Sequence, residues 1–269
     1  MKKRYKRMLN NKKANHRRAI KASMKLLKKF QDTLNIGLSE FGEREDYVQT
    51  GCLCLIYGLE VPSEVVVDVR SLKFKNFKGH FPIFLSVPDA LFYKKNIKKN
   101  ILHGIFEVKN LFKNPVEGEF TGNGAMSLIQ GLKNKPNIEN IIKYFSKCNL
   151  PLPTKNGWTL KQLSKDKTDG ACPLEIITPL GALVATLHQL DTYLLDCYLD
   201  RDIKYVIWTN GLCWKIWTKD ASGNINPDNP IKLDKAQRGY VKNAKDKIEI
   251  DPDQFVKLLI KLRRLFRTF

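Results

Sequence analysis

The sequence predicts an α/β chain: a mixed central sheet flanked by helices, with a mostly helical subdomain inserted into it. Three features point to this. Helical and strand-like periodicities alternate in the order helix, strand, hairpin, helix, hairpin, helix, the pattern of elements packed around one sheet. Hydrophobic residues make up 43% of the 269 residues, enough to bury a core and to exclude wholesale disorder. Residues 113–178 break the pattern with Gly, Pro and Asn clusters and little strand signal, which marks an insertion.

Residues 1–30 hold 13 of the 47 Lys and Arg and no acid, so +13 of the net +20 lies there. Ala19, Ile20, Ala22, Met24, Leu26, Leu27 and Phe30 add a partial helical stripe. Residues 1–38 are therefore expected to form a basic helix or arm that lies on phosphates, although a solvated terminus fits the same composition. Residues 40–59 read as a helix with Phe41, Val48, Cys52, Leu55 and Leu59 on one face. The valine-rich run at 64–70 reads as a strand, and 84–94 with 101–110 as an antiparallel hairpin. The insertion offers one short amphipathic helix near 137–147.

Thr178-Pro179 supplies an N-cap and a first helical residue, and Leu183, Leu187, Leu190, Leu194 and Cys197 continue an apolar face to about 200. Residues 203–218 are two aromatic-rich runs joined by Asn210-Gly211, the pair a type I′ turn favours. Asp251-Pro252 opens a last amphipathic, basic helix to about 266. The expected organisation is an arm (1–38), a core (39–112 with 179–220), the insertion (113–178) and a basic, helical C-terminal segment (221–269).

A pI near 9.7 points to a polyanion partner, nucleic acid before a membrane. No apolar run approaches a membrane span, and the basic start is followed by no signal-peptide core. The six cysteines are scattered, without a Cys-x-x-Cys pair, which fits reduced thiols in the cytoplasm.

The chemistry gathers at 87–110. A hairpin loop centred near residue 98 makes facing residues sum to about 196, so Asp89 faces Glu107. Lys109 shares the Glu107 face, two residues on. Two carboxylates held close need a cation between them, and Mg²⁺ favours such oxygens. A bound Mg²⁺ polarises a phosphoryl oxygen and activates water, while Lys109 would orient the water or offset charge. The same residues also fit a surface hairpin ending in an ordinary ion pair. Gln189 and Tyr193 lie one turn apart on one helix face. Glu45 falls inside an apolar helical stripe, where an acid needs a partner, whereas Glu43 lies off it. His80, His103 and His188 fit a turn, a satisfied strand histidine and a helix side chain aimed away from Gln189. Trp208, Trp214 and Trp217 fit cross-strand packing before base stacking.

Pro88-Asp89, Glu107-x-Lys109 and Gln189-Leu-Asp-Thr-Tyr193, in that order, resemble the PD-(D/E)XK nuclease superfamily. The Gln-x-x-x-Tyr variant occurs in nuclease domains of type I restriction enzymes and of recombination nucleases. Thr209-Asn210-Gly211 with Trp214 and Trp217 resembles the hairpin that follows this helix in the restriction-type domains. The resemblance spans about 40–218 and implies a restriction-endonuclease-like core. It implies a Mg²⁺-dependent DNA endonuclease, with Mn²⁺ able to substitute. Asp89, Glu107 and the main-chain carbonyl of Val108 would be metal ligands, with Glu45 a further acid. Lys109 would be catalytic, and Gln189 and Tyr193 would brace the site or touch the DNA backbone. Restriction, phage defence or mobile-element processing is the implied setting. The gap from Lys109 to Gln189 is long for the family, and no GxxxxGK[S/T] phosphate loop is present, so any translocase is a separate partner. A homodimer is the other partner this chemistry allows. Rival readings are a non-catalytic nucleic-acid binder on the same scaffold, and an RNA nuclease or structure-specific resolvase.

Overall fold

A computed structural model describes residues 2–59, 66–68, 88–95, 100–116, 120–133, 159–162, 174–177, 185–199 and 201–268, with side chains described over most of these from residue 22 onward. The chain begins with helices α1 (Lys2–Phe41) and α2 (Asp46–Tyr57). Strands β1 (Val66–Asp68), β2 (Ala90–Lys95) and β3 (Asn100–Val108) follow, then helix α3 (Asn123–Lys133). Next come β4 (Thr159–Gln162), β5 (Leu174–Ile177), β6 (Ala185–Leu187) and helix α4 (Gln189–Leu199). Strands β7 (Tyr205–Thr209), β8 (Cys213–Lys219), β9 (Ile225–Pro227) and β10 (Ile231–Lys232) precede the final helix α5 (Pro252–Thr268).

The central sheet has the order β1-β2-β3-β7-β8-β10, with β9 also paired to β8. It is mixed: β3 runs parallel to β7 and the other pairs are antiparallel. Helices flank it, as the α/β reading expects. β4, β5 and β6 form a second, three-stranded antiparallel sheet.

Alternation along the strands divides the residues between two faces. Phe92, Phe106, Val108, Tyr205, Ile207, Trp214 and Ile216 share one core cluster with Leu27, Phe30, Leu34 and Leu38 of α1, Val48, Cys52 and Leu55 of α2, and Phe255, Leu258, Leu262 and Phe266 of α5. Phe266 stacks on Phe92 at 5.1 Å and Phe30 meets Phe255 at 6.0 Å. The opposite face holds Glu107, Trp208 and Lys215, adjacent in register across three strands. Tyr193 of α4 reaches Glu107, and the Phe120 ring lies 5.2 Å from that of Trp208.

Several expectations need correction. The helix expected over 40–59 is broken, because Gly42 takes φ +58° and its N–H bonds to the Leu38 carbonyl, a left-handed stop to α1. The helix expected from Thr178 starts at Gln189. Of that stretch, 178–184 lie outside the described residues and 185–187 form β6, which includes Leu187. A short strand followed by a helix sustains the same leucine spacing as one longer helix. Among the described residues of 113–178, the insertion carries the strands β4 and β5 as well as the helix α3. The helix expected at 137–147 and the turn at His80 lie outside the described residues. The Asn210-Gly211 turn is a tight hairpin but not type I′. The Asn210 N–H bonds to the Cys213 carbonyl, so Gly211 and Leu212 are central, and only Gly211 has positive φ (+89°), the II′ requirement. The C-terminal segment also carries β9 and β10. Its helix starts as expected, with Asp251 Oδ1 accepting the N–H groups of Asp253 and Gln254.

Candidate active site

The β2–β3 register brings the key acids together. Ala90 pairs with Phe106, Leu91 with Ile105 and Phe92 with Gly104, each pair summing to 196. Asp89 precedes β2 by one residue and so stands opposite Glu107. Its Oδ2 accepts the Val108 N–H at 2.7 Å. The parallel β3–β7 pairing continues one residue beyond β3, where the Lys109 N–H donates to the Thr209 carbonyl at 2.8 Å. The backbone under Lys109 is therefore fixed by Thr209, the last residue of β7.

Four side chains close a ring. Lys109 Nζ donates to Glu107 Oε1 at 2.6 Å and to Gln189 Oε1 at 2.8 Å. Gln189 Nε2 donates to Tyr193 Oη at 2.8 Å, and Tyr193 Oη donates to Glu107 Oε2 at 3.0 Å. Gln189 opens α4 and Tyr193 follows one turn later, so the helical repeat aims both at the end of β3. Each member fixes another's rotamer. Tyr193 is fully buried and Glu107 only 3% exposed.

Electrostatics mark the corner as unusual. Burial, then the nearby Glu107 charge, push the Asp89 carboxyl up to about 8, against the smaller opposing pull of the Val108 N–H. Burial also raises Glu107, with Lys109 and Tyr193 opposing the rise. Burial would lower Lys109, but Glu107, Glu45 and Asp89 outweigh it and hold the ammonium above its ordinary range. Burial and the Glu107 charge keep Tyr193 a phenol. Two acids that resist ionisation beside one persistent cation form a site short of positive charge.

The structure brings Asp89, Glu107, Val108, Lys109, Gln189 and Tyr193 into one corner. Glu45 differs from expectation: α2 starts at Asp46, so Glu45 is a half-exposed N-cap residue and not part of an apolar helical stripe. Its side chain makes no capping bond, and its charge is felt by Asp89, Glu107 and Lys109. Glu43 is exposed. Among the described residues no three His, Cys, Asp or Glu side chains form a metal cage by themselves. The oxygen donors that fit a hard divalent ion are the Asp89 and Glu107 carboxylates and the Val108 carbonyl, a set that leaves places for water, as Mg²⁺ requires.

Supporting residues escaped the sequence reading. Gln49, buried in α2, donates to the Asp89 carbonyl at 3.4 Å. It lies four residues after Glu45, a spacing that would have placed both on one side of the helix. Asp191 is buried at the start of α4 and accepts the His188 N–H (3.0 Å) and the Ala125 N–H (2.8 Å), tying α3 to the helix that carries Gln189. Asn210 is also structural. Its Oδ1 accepts the Leu212 and Cys213 N–H groups, and its Nδ2 donates to the Lys113 and Gly239 carbonyls. Trp208, Trp214 and Trp217 are all buried, as packing requires.

Comparison of the chain with protein-family models, curated proteins and solved structures returned no match.

Proposed function

We propose that the chain is a Mg²⁺-dependent nuclease of the PD-(D/E)XK type that hydrolyses DNA phosphodiester bonds. The observation that carries this reading is the corner where Asp89 meets the end of β3 and Glu107, Lys109, Gln189 and Tyr193 close a hydrogen-bonded ring. Asp89, Glu107 and the Val108 carbonyl would hold Mg²⁺, with the Glu45 charge nearby. The ion supplies polarisation of a phosphoryl oxygen and a more nucleophilic water.

The chain's own residues supply position and charge. Lys109, its ammonium held by Glu107, is placed to offset negative charge growing on the phosphoryl group. Gln189 and Tyr193 keep Glu107 and Lys109 in fixed rotamers, which avoids reorganisation during the reaction. The basic composition supplies attraction to the phosphate backbone.

The test is a cleavage panel of duplex, nicked, branched and single-stranded DNA and of RNA, in Mg²⁺, Mn²⁺ or EDTA. Asp89→Ala, Glu107→Ala and Lys109→Ala are each expected to abolish metal-dependent cleavage while binding persists. Wild-type rates in any of the three refute the assignment, and RNA as the one substrate cleaved would redirect it.

A further inference from the structure

The excess positive charge is concentrated in two helical stretches. Residues 1–30 carry thirteen Lys and Arg and no acid. Residues 252–268 carry five, Lys257, Lys261, Arg263, Arg264 and Arg267, against the single acid Asp253. Thirteen and a net four make seventeen of the chain's net +20. The first stretch belongs to α1 and the second is α5, and both helices bury residues in the same core cluster, on the same face of the sheet.

In α5 the roll of the helix is fixed by Phe255, Leu258, Leu259, Leu262, Leu265 and Phe266, all buried. That leaves Lys257, Arg263, Arg264 and Arg267 exposed, while Lys261 is half-buried in a 2.7 Å ion pair with Asp228. From 257 to 267 the helix rises about 15 Å, or about four base-pair steps of a duplex. Cations on a helix that is already packed lose little freedom on binding. The Glu107 ring lies on the other face of the sheet under α4, so the α5 cations are not part of it.

We infer that the layer formed by α1 and α5 is a second nucleic-acid contact surface, on the opposite face of the sheet from the candidate active site. This rests on the reading of the substrate as nucleic acid. A surplus of like charge repels itself, and a polyanion relieves that repulsion while releasing its own counterions. Cations in the last turn of a helix also offset its macrodipole, a role that would alter stability and leave phosphate binding alone.

The experiment uses the full chain in EDTA, with a duplex of about 40 base pairs and anisotropy readings across about 50–200 mM salt. The variant is Lys257→Gln/Arg263→Gln/Arg264→Gln/Arg267→Gln. The slope of log K against log salt should become shallower by about 2 to 4, near 0.9 for each phosphate no longer neutralised. Replacing the three arginines by lysine should keep the slope. If the quadruple variant fails to fold, Lys257→Gln/Arg267→Gln should give about half the change in slope. A folded variant with an unchanged slope, or with lowered Tm alone, overturns the inference. So does binding to phosphatidylcholine–phosphatidylglycerol vesicles that the variant loses while its duplex slope is kept. A changed slope without any cleavage by the parent chain would sink the nuclease reading and leave this surface standing; cleavage with an unchanged slope would do the reverse.

Discussion

Phe106 and Glu107 are neighbours in β3, yet their side chains finish in opposite environments. Phe106 enters an apolar cluster closed by α1, α2 and α5, with its ring 6.0 Å from that of Trp214. Glu107 enters an equally buried corner where its carboxylate is held by Lys109 and Tyr193. The apolar face gains stability from each buried ring. The polar face buries acids that resist ionisation, a cost that a stable fold alone does not require. One face of the strand holds the chain together, and the other holds charges in place.

Four experiments probe that contrast. The largest effect is expected at Glu107→Gln on the polar face, which keeps the shape and removes the charge. Cleavage should fall more than about a thousandfold, above about 4 kcal/mol in the barrier, with circular dichroism unchanged. On the apolar face, Phe106→Ala should cost about 3 kcal/mol or more in unfolding free energy by urea titration, from reduced burial and the cavity left behind. Any loss of cleavage there should track the unfolded fraction.

The third experiment uses pH. The folded Asp89 carboxyl, pushed up to about 8 from 3.8, holds its proton more tightly than the unfolded chain does. Its contribution to stability is therefore present at low pH and is lost as pH rises from about 4 to about 8. Asp89→Asn should consequently gain Tm relative to the parent across that window. Added Mg²⁺ should raise the parent's Tm at the alkaline end and leave the variant unmoved. The smallest effect is expected for Tyr193→Phe. It removes one hydrogen bond to Glu107 and one from Gln189, for about 1 kcal/mol of stability and a cleavage rate lowered about tenfold.

The sequence carried the site better than the scaffold around it. Facing acids were legible because the pairing nearest Asp89 keeps a sum of 196, although an irregularity between Phe92 and Tyr93 shifts the register by one toward the loop. Gln189 and Tyr193 were legible because one helical turn separates them, whether the helix begins at 179 or 189. The start of α5 was legible because Asp251-Pro252 is a local signal. The break at Gly42 was not, since a glycine within an apolar pattern reads equally as a tolerated interior residue. Helix α3 was hidden by Gly124 and Gly131, which lower helix propensity, and it relies on contacts such as the Asp191 cap from distant sequence. Asp191 and Gln49 act through groups far along the chain, and local patterning does not record such partners.

The parallel pairing of β3 with β7 bears on biosynthesis. Lys109 is anchored by Thr209, and the ring around Glu107 waits for Gln189 and Tyr193. At about 5–20 residues per second, the ribosome needs roughly 5–20 s to travel the intervening stretch of about 100 residues. Throughout that interval the nascent polypeptide holds its acids without their braces, and the ring closes only after α4 and β7 have emerged.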